Sequence, residues 1–318
     1  MHLYSIILTA VIPIFLVMAA GFVMHRTGWM EKDIEAGVMR LVLNLLVPCL
    51  IIDVVIGNPA LEKVSVAVWG IGLGFMIIVL GYPIAYAIGR LFGLPKGGGR
   101  RTFSIVAAIQ NYGYLPLPII AILFPDEPGP IALVFIHGLG VEIALWTVGL
   151  LILNRHPGAP WKKLLNGPFI AVVVSLTLNY THGYVLIPDV VRTAMNMLGG
   201  TAIPISIFMI GATIGRLYDR SIWSEAGRTI GASVLTRLII LPAMILAIVR
   251  FLPVPDDLVK VLIIQAGMPA AIFPIVVARL YDGHVPTAIK VVLITSFASI
   301  LTAPAVIAFG MRLMELVP

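Results

Sequence analysis

The sequence predicts an all-α, polytopic membrane protein of ten transmembrane helices, arranged as two five-helix repeats of opposite orientation. Of its 318 residues, 60% are hydrophobic and only 11% are charged, whereas a soluble domain is about one-quarter charged. Apolar segments of about 20 residues, the length of a transmembrane helix, recur along the whole chain. Two of these segments are interrupted by glycine and proline at equivalent places in the two halves.

Ten apolar segments have, or come close to, the length that crosses a bilayer. The sixth is the shortest, and the connectors between segments are short and polar. We expect no separate soluble domain, so the chain divides into a first repeat, 1–155, and a second repeat, 156–318. The predicted spans are 3–24, 38–56, 64–91, 102–124, 130–153, 164–180, 191–214, 226–251, 258–280 and 286–313.

The distribution of basic residues predicts the orientation. Alternate connectors hold 14 Lys and Arg residues, while the other connectors and the termini together hold 5. Because loops rich in Lys and Arg stay in the cytoplasm, both termini are expected on the non-cytoplasmic side of the cell membrane. This assignment accounts for the net charge of +6 without nucleic acid. Cys49 is the single cysteine, which excludes an intramolecular disulfide and a thiolate metal site, and no cofactor is predicted.

Identical residues recur between the two halves at one interval of 156 positions. The matched pairs are Met39 and Met195, Pro48 and Pro204, Ile51 and Ile207, Pro118 and Pro274, Asp126 and Asp282, and Pro130 and Pro286. Five spans in each half force the second copy to insert in the opposite orientation, as in the inverted-topology repeats of secondary transporters. The alternative is a duplication that serves stability alone.

Glycine and proline interrupt the fourth and ninth spans. Proline removes an amide donor and clashes with the preceding turn, and glycine adds backbone freedom. The downstream half of each helix then begins inside the membrane, where its free amides and positive dipole end attract an anion. Matching breaks therefore indicate a transport site, and the alternative is a pair of structural kinks. The interrupting residues are Gly113, Pro116 and Pro118 in the fourth span and Gly267, Pro269 and Pro274 in the ninth.

Four sequence motifs resemble the auxin efflux carrier family. They are the run from Ile264 to Pro269 followed by Phe273 and Pro274, Asn111 with Pro118, the run from Leu43 to Pro48, and the run from Gly200 to Pro204 followed by Gly211 and Ala212. The resemblance covers nearly the whole chain. It implies a ten-helix fold like that of bile-acid sodium symporters and sodium–proton antiporters, with scaffold and transport domains that each draw helices from both repeats.

The same resemblance implies an organic-anion substrate and a homodimer. Plant members export the indole carboxylate auxin, and bacterial members similar to this chain are associated with small carboxylates such as malonate and malate. Two features depart from the family pattern. The long loop between the halves of plant members is reduced here to a short connector, and Pro116 stands where the family usually has glycine.

The candidate substrate-binding residues lie mainly at the two breaks. Asn111 is the first candidate, because its amide can donate to a carboxylate and it matches the asparagine of the family, although it could instead cap freed backbone. Asn44 and Thr201 precede the aligned prolines of the second and seventh spans, where they line the cavity or bond back to their own helices. The other candidates are Tyr112, Gly113, Tyr114, Gln265, Gly267 and Pro269.

Three charged residues are candidates for coupling. Glu142 lies near the middle of the fifth span, and an intramembrane carboxylate indicates function by default; it carries a proton or makes a structural bond. Arg237, in the eighth span, pairs with the substrate or with Glu142, or extends along its aliphatic stem to the membrane surface. Asp53, near the outer end of the second span, is a solvated end charge or a coupling group.

These observations predict a secondary carrier of small organic anions that works by alternating access and is not an enzyme. Proton coupling and electrogenic uniport both stay open. One alternative is a cation or proton exchanger, which needs acidic residues at the breaks, where Asn111 and Gly267 stand instead. Another alternative is a membrane sensor that binds an anion without moving it. An enzyme is the weakest alternative, since no nucleophile–base pair occurs at the breaks.

Overall fold

The computed structural model describes residues 2–96, 98–153, 165–219 and 226–316. Within these ranges the regular structure is helical, apart from a single isolated bridge between two extended residues. The chain is therefore an all-helical, multi-pass membrane protein. The connector predicted at 154–163 lies outside the described residues, as do Gly97 and the stretch 220–225.

Besides two short 3-10 helices, Pro59–Leu61 and Gly183–Leu186, the described residues form twelve helices, three of which contain a π-helical stretch. In chain order they are α1 (His2–Arg26), α2 (Lys32–Val55), α3 (Val64–Leu91), α4 (Gly98–Ala108), α5 (Pro116–Leu123), α6 (Pro128–Leu153), α7 (Gly167–Tyr180), α8 (Asp189–Leu217), α9 (Gly227–Phe251), α10 (Asp256–Ala266), α11 (Phe273–Leu280) and α12 (Val285–Leu313). The π-helical stretches are Val42–Leu46 in α2, Leu145–Gly149 in α6 and Val234–Ile240 in α9.

Seven helices of the described part are long and apolar enough to cross a membrane: α1, α2, α3, α6, α8, α9 and α12. Three predicted spans differ from this pattern. The fourth is divided into α4 and α5, and the ninth into α10 and α11. The sixth is α7, whose 14 residues extend about 21 Å, short of the hydrocarbon thickness of about 30 Å. The count of ten spans and the inverted repeat stay predictions.

The helices pack as two groups. One group consists of α1, α2, α7 and α8, and the other consists of the remaining helices around α3, α6, α10 and α12. Glycine permits the closest crossing in the first group, because a Cβ atom at Gly211 of α8 would overlap the main-chain carbonyl of Met18 in α1. The two groups meet where α1 contacts α5 and α12, and where α6 contacts α2 and α7.

Candidate functional site

The two breaks lie against each other and are joined through their backbones. The extended residues Gln110 and Ala270 form an antiparallel bridge. The amide of Asn111 donates to the carbonyl of Pro269 at 2.7 Å, and the amide of Ala271 donates to the carbonyl of Ile109 at 2.9 Å. Backbone groups that leave a helix inside a membrane need partners within the protein, and each break supplies them to the other.

This arrangement reduces the number of amides that remain for an anion. The amides of Asn111 and Ala271 serve the bridge, and the amide of Ala270 donates to the Thr295 hydroxyl at 3.1 Å. In the first turn of α5, Pro116 and Pro118 carry no amide hydrogen. Few backbone amides at the breaks therefore remain free for an anion, and side chains around the breaks are the other available donors.

Asn111 occupies the centre of this region and is 8% exposed. Its side-chain oxygen accepts the amide of Leu115 at 3.5 Å, which is the capping role that was weighed against substrate contact. Asn111 also lines a small cavity beside the bridge. One side chain thus supports the broken backbone and faces the cavity, so the two interpretations are compatible.

The cavity has a volume of about 10 Å³, which is room for about one water molecule. Its polar wall includes Asn111, Ser296 and Ser299, and its apolar wall includes Met18 and Ile210. The polar residues belong to the group around α12, and Met18 and Ile210 belong to α1 and α8. The cavity therefore lies at the boundary between the two helix groups, and a ligand larger than water fits there only if the groups separate.

Several lining residues were missed by the sequence analysis. Besides Asn111 and Pro269, the cavity is lined by Phe15, Met18, Leu115, Ile210, Ala270, Ile272, Ser296 and Ser299. Phe15, Met18 and Ile210 belong to long apolar helices without a break, so nothing in their sequence separates them from lipid-facing residues. The two serines of α12 are a usable signal, because they are polar residues three positions apart in an apolar span.

The glutamines of the two breaks form a buried pair. The Gln110 amide nitrogen donates to the Gln265 side-chain oxygen at 3.0 Å, and the Gln265 amide nitrogen donates to the carbonyl of Tyr112 at 3.2 Å. Gln265, predicted as a binding residue, therefore acts first as a link between the breaks. Gln110 was not predicted, although it begins the interrupted motif in the fourth span.

Arg237 is fully buried and reaches the first break. One terminal guanidinium nitrogen donates to the carbonyl of Ala108 at 3.2 Å and to the Gln110 side-chain oxygen at 3.5 Å. Extension of Arg237 to the membrane surface is therefore wrong, because the side chain is turned into the protein. A cation at this place complements the carbonyls and the negative dipole end of α4.

Glu142 has different partners from those considered for it. Its two carboxylate oxygens accept the Tyr112 hydroxyl at 3.4 Å and the Asn166 amide nitrogen at 2.9 Å. Asn166 also caps α7, because its side-chain oxygen accepts the amide of Phe169 at 2.9 Å. The contact between Glu142 and Asn166 joins the two helix groups, and pairing of Glu142 with Arg237 is not found among the described residues.

The candidates Asn44, Thr201 and Asp53 do not line this cavity. Asn44 and Thr201 are exposed and bond to the carbonyls of Arg40 and Leu198 in their own helices, at 2.9 and 2.7 Å. Asp53 is half-buried and accepts the amide nitrogen of Asn196 at 2.9 Å, in an open depression at the end of α2. Back-bonding is therefore the observed role of Asn44 and Thr201.

The other break residues differ in the space around them. A Cβ atom at Gly113 would meet nothing within 4 Å, whereas one at Gly267 would lie 3.1 Å from the carbonyl oxygen of Ala303 in α12. Tyr114 is half-buried against the main apolar core. Gly267 thus permits the close approach of a neighbouring helix, and Gly113 leaves open space at the first break.

Comparison with known proteins gives two matches that extend over almost the whole chain. The family model described as "Membrane transport protein" matches residues 6–160 and 157–307. A relative from Methanothermobacter thermautotrophicus, described as an uncharacterized transporter, is 23% identical over 297 residues. These residues cover 92% of this chain and 95% of that relative.

Proposed function

Since the chain belongs to the membrane transport protein family, the auxin efflux carrier-like family indicated by its motifs, we propose that it is a secondary transporter of small organic anions. The observation that carries the proposal is the meeting of two interrupted helices beside a cavity at the boundary of two helix groups. In secondary transporters, discontinuous helices at the midplane form the substrate site.

The cavity favours an anion held by neutral donors. Asn111, Ser296 and Ser299 line it, and their amide or hydroxyl groups can donate hydrogen bonds to a carboxylate. Among the described residues no acidic side chain lines this cavity, which argues against a cation or proton exchanger. The apolar wall of α1 and α8 suits the hydrocarbon part of an organic anion.

Alternating access is proposed as the mechanism. The helices α1, α2, α7 and α8 serve as a scaffold, and the group that carries both breaks moves against it as the transport domain. The small volume of the cavity supports this division, because a substrate enters only when the apolar wall leaves the polar wall. We place both termini on the non-cytoplasmic side of the cell membrane, and the protein forms a homodimer through the scaffold.

The first test is charge movement by the purified protein in liposomes on a solid-supported membrane. The panel runs from malonate and malate to indole-3-acetate, with and without a pH gradient. We expect a saturable current for at least one carboxylate, and its loss in Asn111→Ala. Thr201→Ala is the control, because Thr201 is exposed and bonds only to its own helix.

Three other outcomes would change the proposal in different ways. If no carboxylate gives a current but one of them stabilises the protein thermally, the protein is a sensor or an electroneutral exchanger. Counterflow of labelled substrate distinguishes these two, because only the exchanger moves the label. The absence of both current and thermal stabilisation with every carboxylate refutes the assignment of an organic anion as substrate. Equal currents in the wild type and in Asn111→Ala remove Asn111 from the substrate site.

A further inference from the structure

A cluster of unpaired hydrogen-bond donors lies on α9, behind the two breaks. Arg237 is 0% exposed, and its Nε and second terminal nitrogen have no partner among the described residues. The hydroxyls of Ser233 and Thr236 are also buried and unpaired. Residues four positions apart share one face of a helix, so Ser233 lies on the same side as Arg237, and Thr236 directly precedes Arg237.

Ser233 and Thr236 differ from three other buried hydroxyls that bond to their own helices, although Tyr82, Tyr180 and Thr302 also have unpaired hydroxyls among the described residues. Ser175, Ser206 and Thr295 are equally buried, and each donates to the carbonyl four residues earlier, at 2.5, 2.6 and 2.8 Å. Ser233 and Thr236 stand at and within the π-helical stretch Val234–Ile240. Such stretches alter the backbone bonding and occur frequently at functional sites. The two hydroxyls therefore remain available to another acceptor.

Arg237 also has no acidic partner among the residues that the structure describes. The ion pairs found among the described residues involve Glu35, Glu127 and Asp257, and none of them includes Arg237. The C-terminal end of α4 provides the equivalent of about half a negative charge. A buried charge is otherwise paired or strongly penalised, so this cluster has excess positive charge and several free donors.

We propose that Arg237, Ser233 and Thr236 form a binding site for a small anion behind the broken helices. The ligand is either a halide held between the guanidinium and the two hydroxyls or the carboxylate of a transported substrate. Both have the same recognition chemistry, a single negative charge that accepts several hydrogen bonds. The halide form of the site does not depend on the transport activity proposed above, whereas the carboxylate form rests on it.

The anion also completes the support of the first break. Arg237 holds the carbonyl of Ala108 and the side chain of Gln110, which precede Asn111 in the chain. An anion on the opposite side of the guanidinium fixes the orientation of that side chain. Occupancy of the site therefore stabilises the joined breaks, and its loss loosens them.

The test compares the melting temperature of the purified protein in sodium chloride, sodium bromide, sodium malonate and sodium gluconate at equal ionic strength. Crystals or cryo-EM samples prepared in bromide locate the ion directly. The double variant Ser233→Ala, Thr236→Val removes two donors and keeps the arginine. The matched control is Ser175→Ala, Ser206→Ala, which removes two buried hydroxyls that bond to their own helices.

A saturable halide-dependent rise in melting temperature, with bromide density beside Arg237, establishes a resident halide. We expect the half-saturating halide concentration to rise about tenfold or more in the double variant, because each lost bond to a charged group weakens binding, and to stay unchanged in the control. A rise with malonate alone, lost in the same variant, assigns the site to the substrate carboxylate. Equal melting in all salts, with only water density at the cluster, overturns the proposal.

Discussion

The bond between Glu142 and Asn166 provides the sharpest test of how the two helix groups separate. Three substitutions of Asn166 divide its two roles, because the side chain caps α7 and also reaches Glu142. Serine keeps a good cap but is too short to reach the carboxylate. Aspartate keeps the cap and places a second carboxylate against Glu142. Alanine removes both the cap and the bond.

The structure sets the expected magnitudes. A hydrogen bond to a charged group contributes about 1.5–3 kcal/mol, and every 1.4 kcal/mol corresponds to about a tenfold change in an equilibrium. Asn166→Ser is therefore expected to favour the separated groups about tenfold or more. Asn166→Asp adds repulsion of about 4 kcal/mol for charges 4 Å apart at an effective dielectric constant of about 20. Loss of the cap in Asn166→Ala costs about 1 kcal/mol of stability in addition.

The assay measures how often the cavity opens. Cys49→Ser removes the single cysteine, Ser299→Cys places a thiol in the cavity, and the rate of labelling by a water-soluble thiol reagent reports the separated fraction. We expect labelling to be fastest in Asn166→Asp, slower and about equal in Asn166→Ser and Asn166→Ala, and slowest in the wild type. Labelling of the Ser and Asp variants at the wild-type rate, with only the Ala variant less stable, refutes the idea that this bond holds the groups together.

Three further predictions concern coupling and packing. Glu142→Gln keeps hydrogen-bonding capacity but removes the charge, so we expect substrate currents that no longer depend on the pH gradient; an unchanged dependence excludes proton carriage by this residue. Gln265→Leu leaves two buried polar groups unpaired, at about 1–3 kcal/mol each, and should lower the melting temperature markedly, whereas normal stability would show that water replaces the pair. Gly199→Ala places a Cβ atom 2.8 Å from the backbone nitrogen of Leu50, while Gly200→Ala meets nothing within 4 Å. We expect the first to cost about 1–3 kcal/mol and the second to stabilise the helix by up to about 1 kcal/mol, so equal melting temperatures contradict the packing of α2 on α8.

The class of the fold follows from the sequence because lipid imposes a simple rule on composition. Apolar length predicts α3 at the same bounds in sequence and structure, 64–91. Helix ends that lie outside the apolar run are harder to predict. The helix α2, for example, begins at Lys32, six residues before the predicted start at position 38. The charged first turn of α2 lies among residues that hydropathy counts as a connector. Hydropathy also cannot show that α7 stops short of a full span.

The positions of proline and glycine predict where the two breaks lie, but not which residues contact them. Nothing in one sequence indicates that Gln110 faces Gln265, because that contact depends on how two distant segments cross. For Arg237 the sequence left three alternatives open, namely pairing with the substrate, pairing with Glu142 and extension to the membrane surface. Its side chain instead reaches Ala108 and Gln110 from within a π-helical stretch, and composition reveals neither the stretch nor these contacts. Asn166 was missed because it lies at the start of α7. Its contact with Glu142 depends on where that short helix begins, which the sequence does not show.

The bridge between Gln110 and Ala270 has a consequence for the biogenesis of the protein. About half of the chain separates its two sides, so the first break enters the membrane long before its partner has been synthesised. During that interval the backbone groups of Ile109 and Asn111 lack the bonds that lipid cannot replace. Until the second half is synthesised, these backbone groups therefore need hydrogen-bond partners from the insertion machinery or from water. A truncated chain that ends before α10 should consequently be recognised and degraded as an unfinished membrane protein.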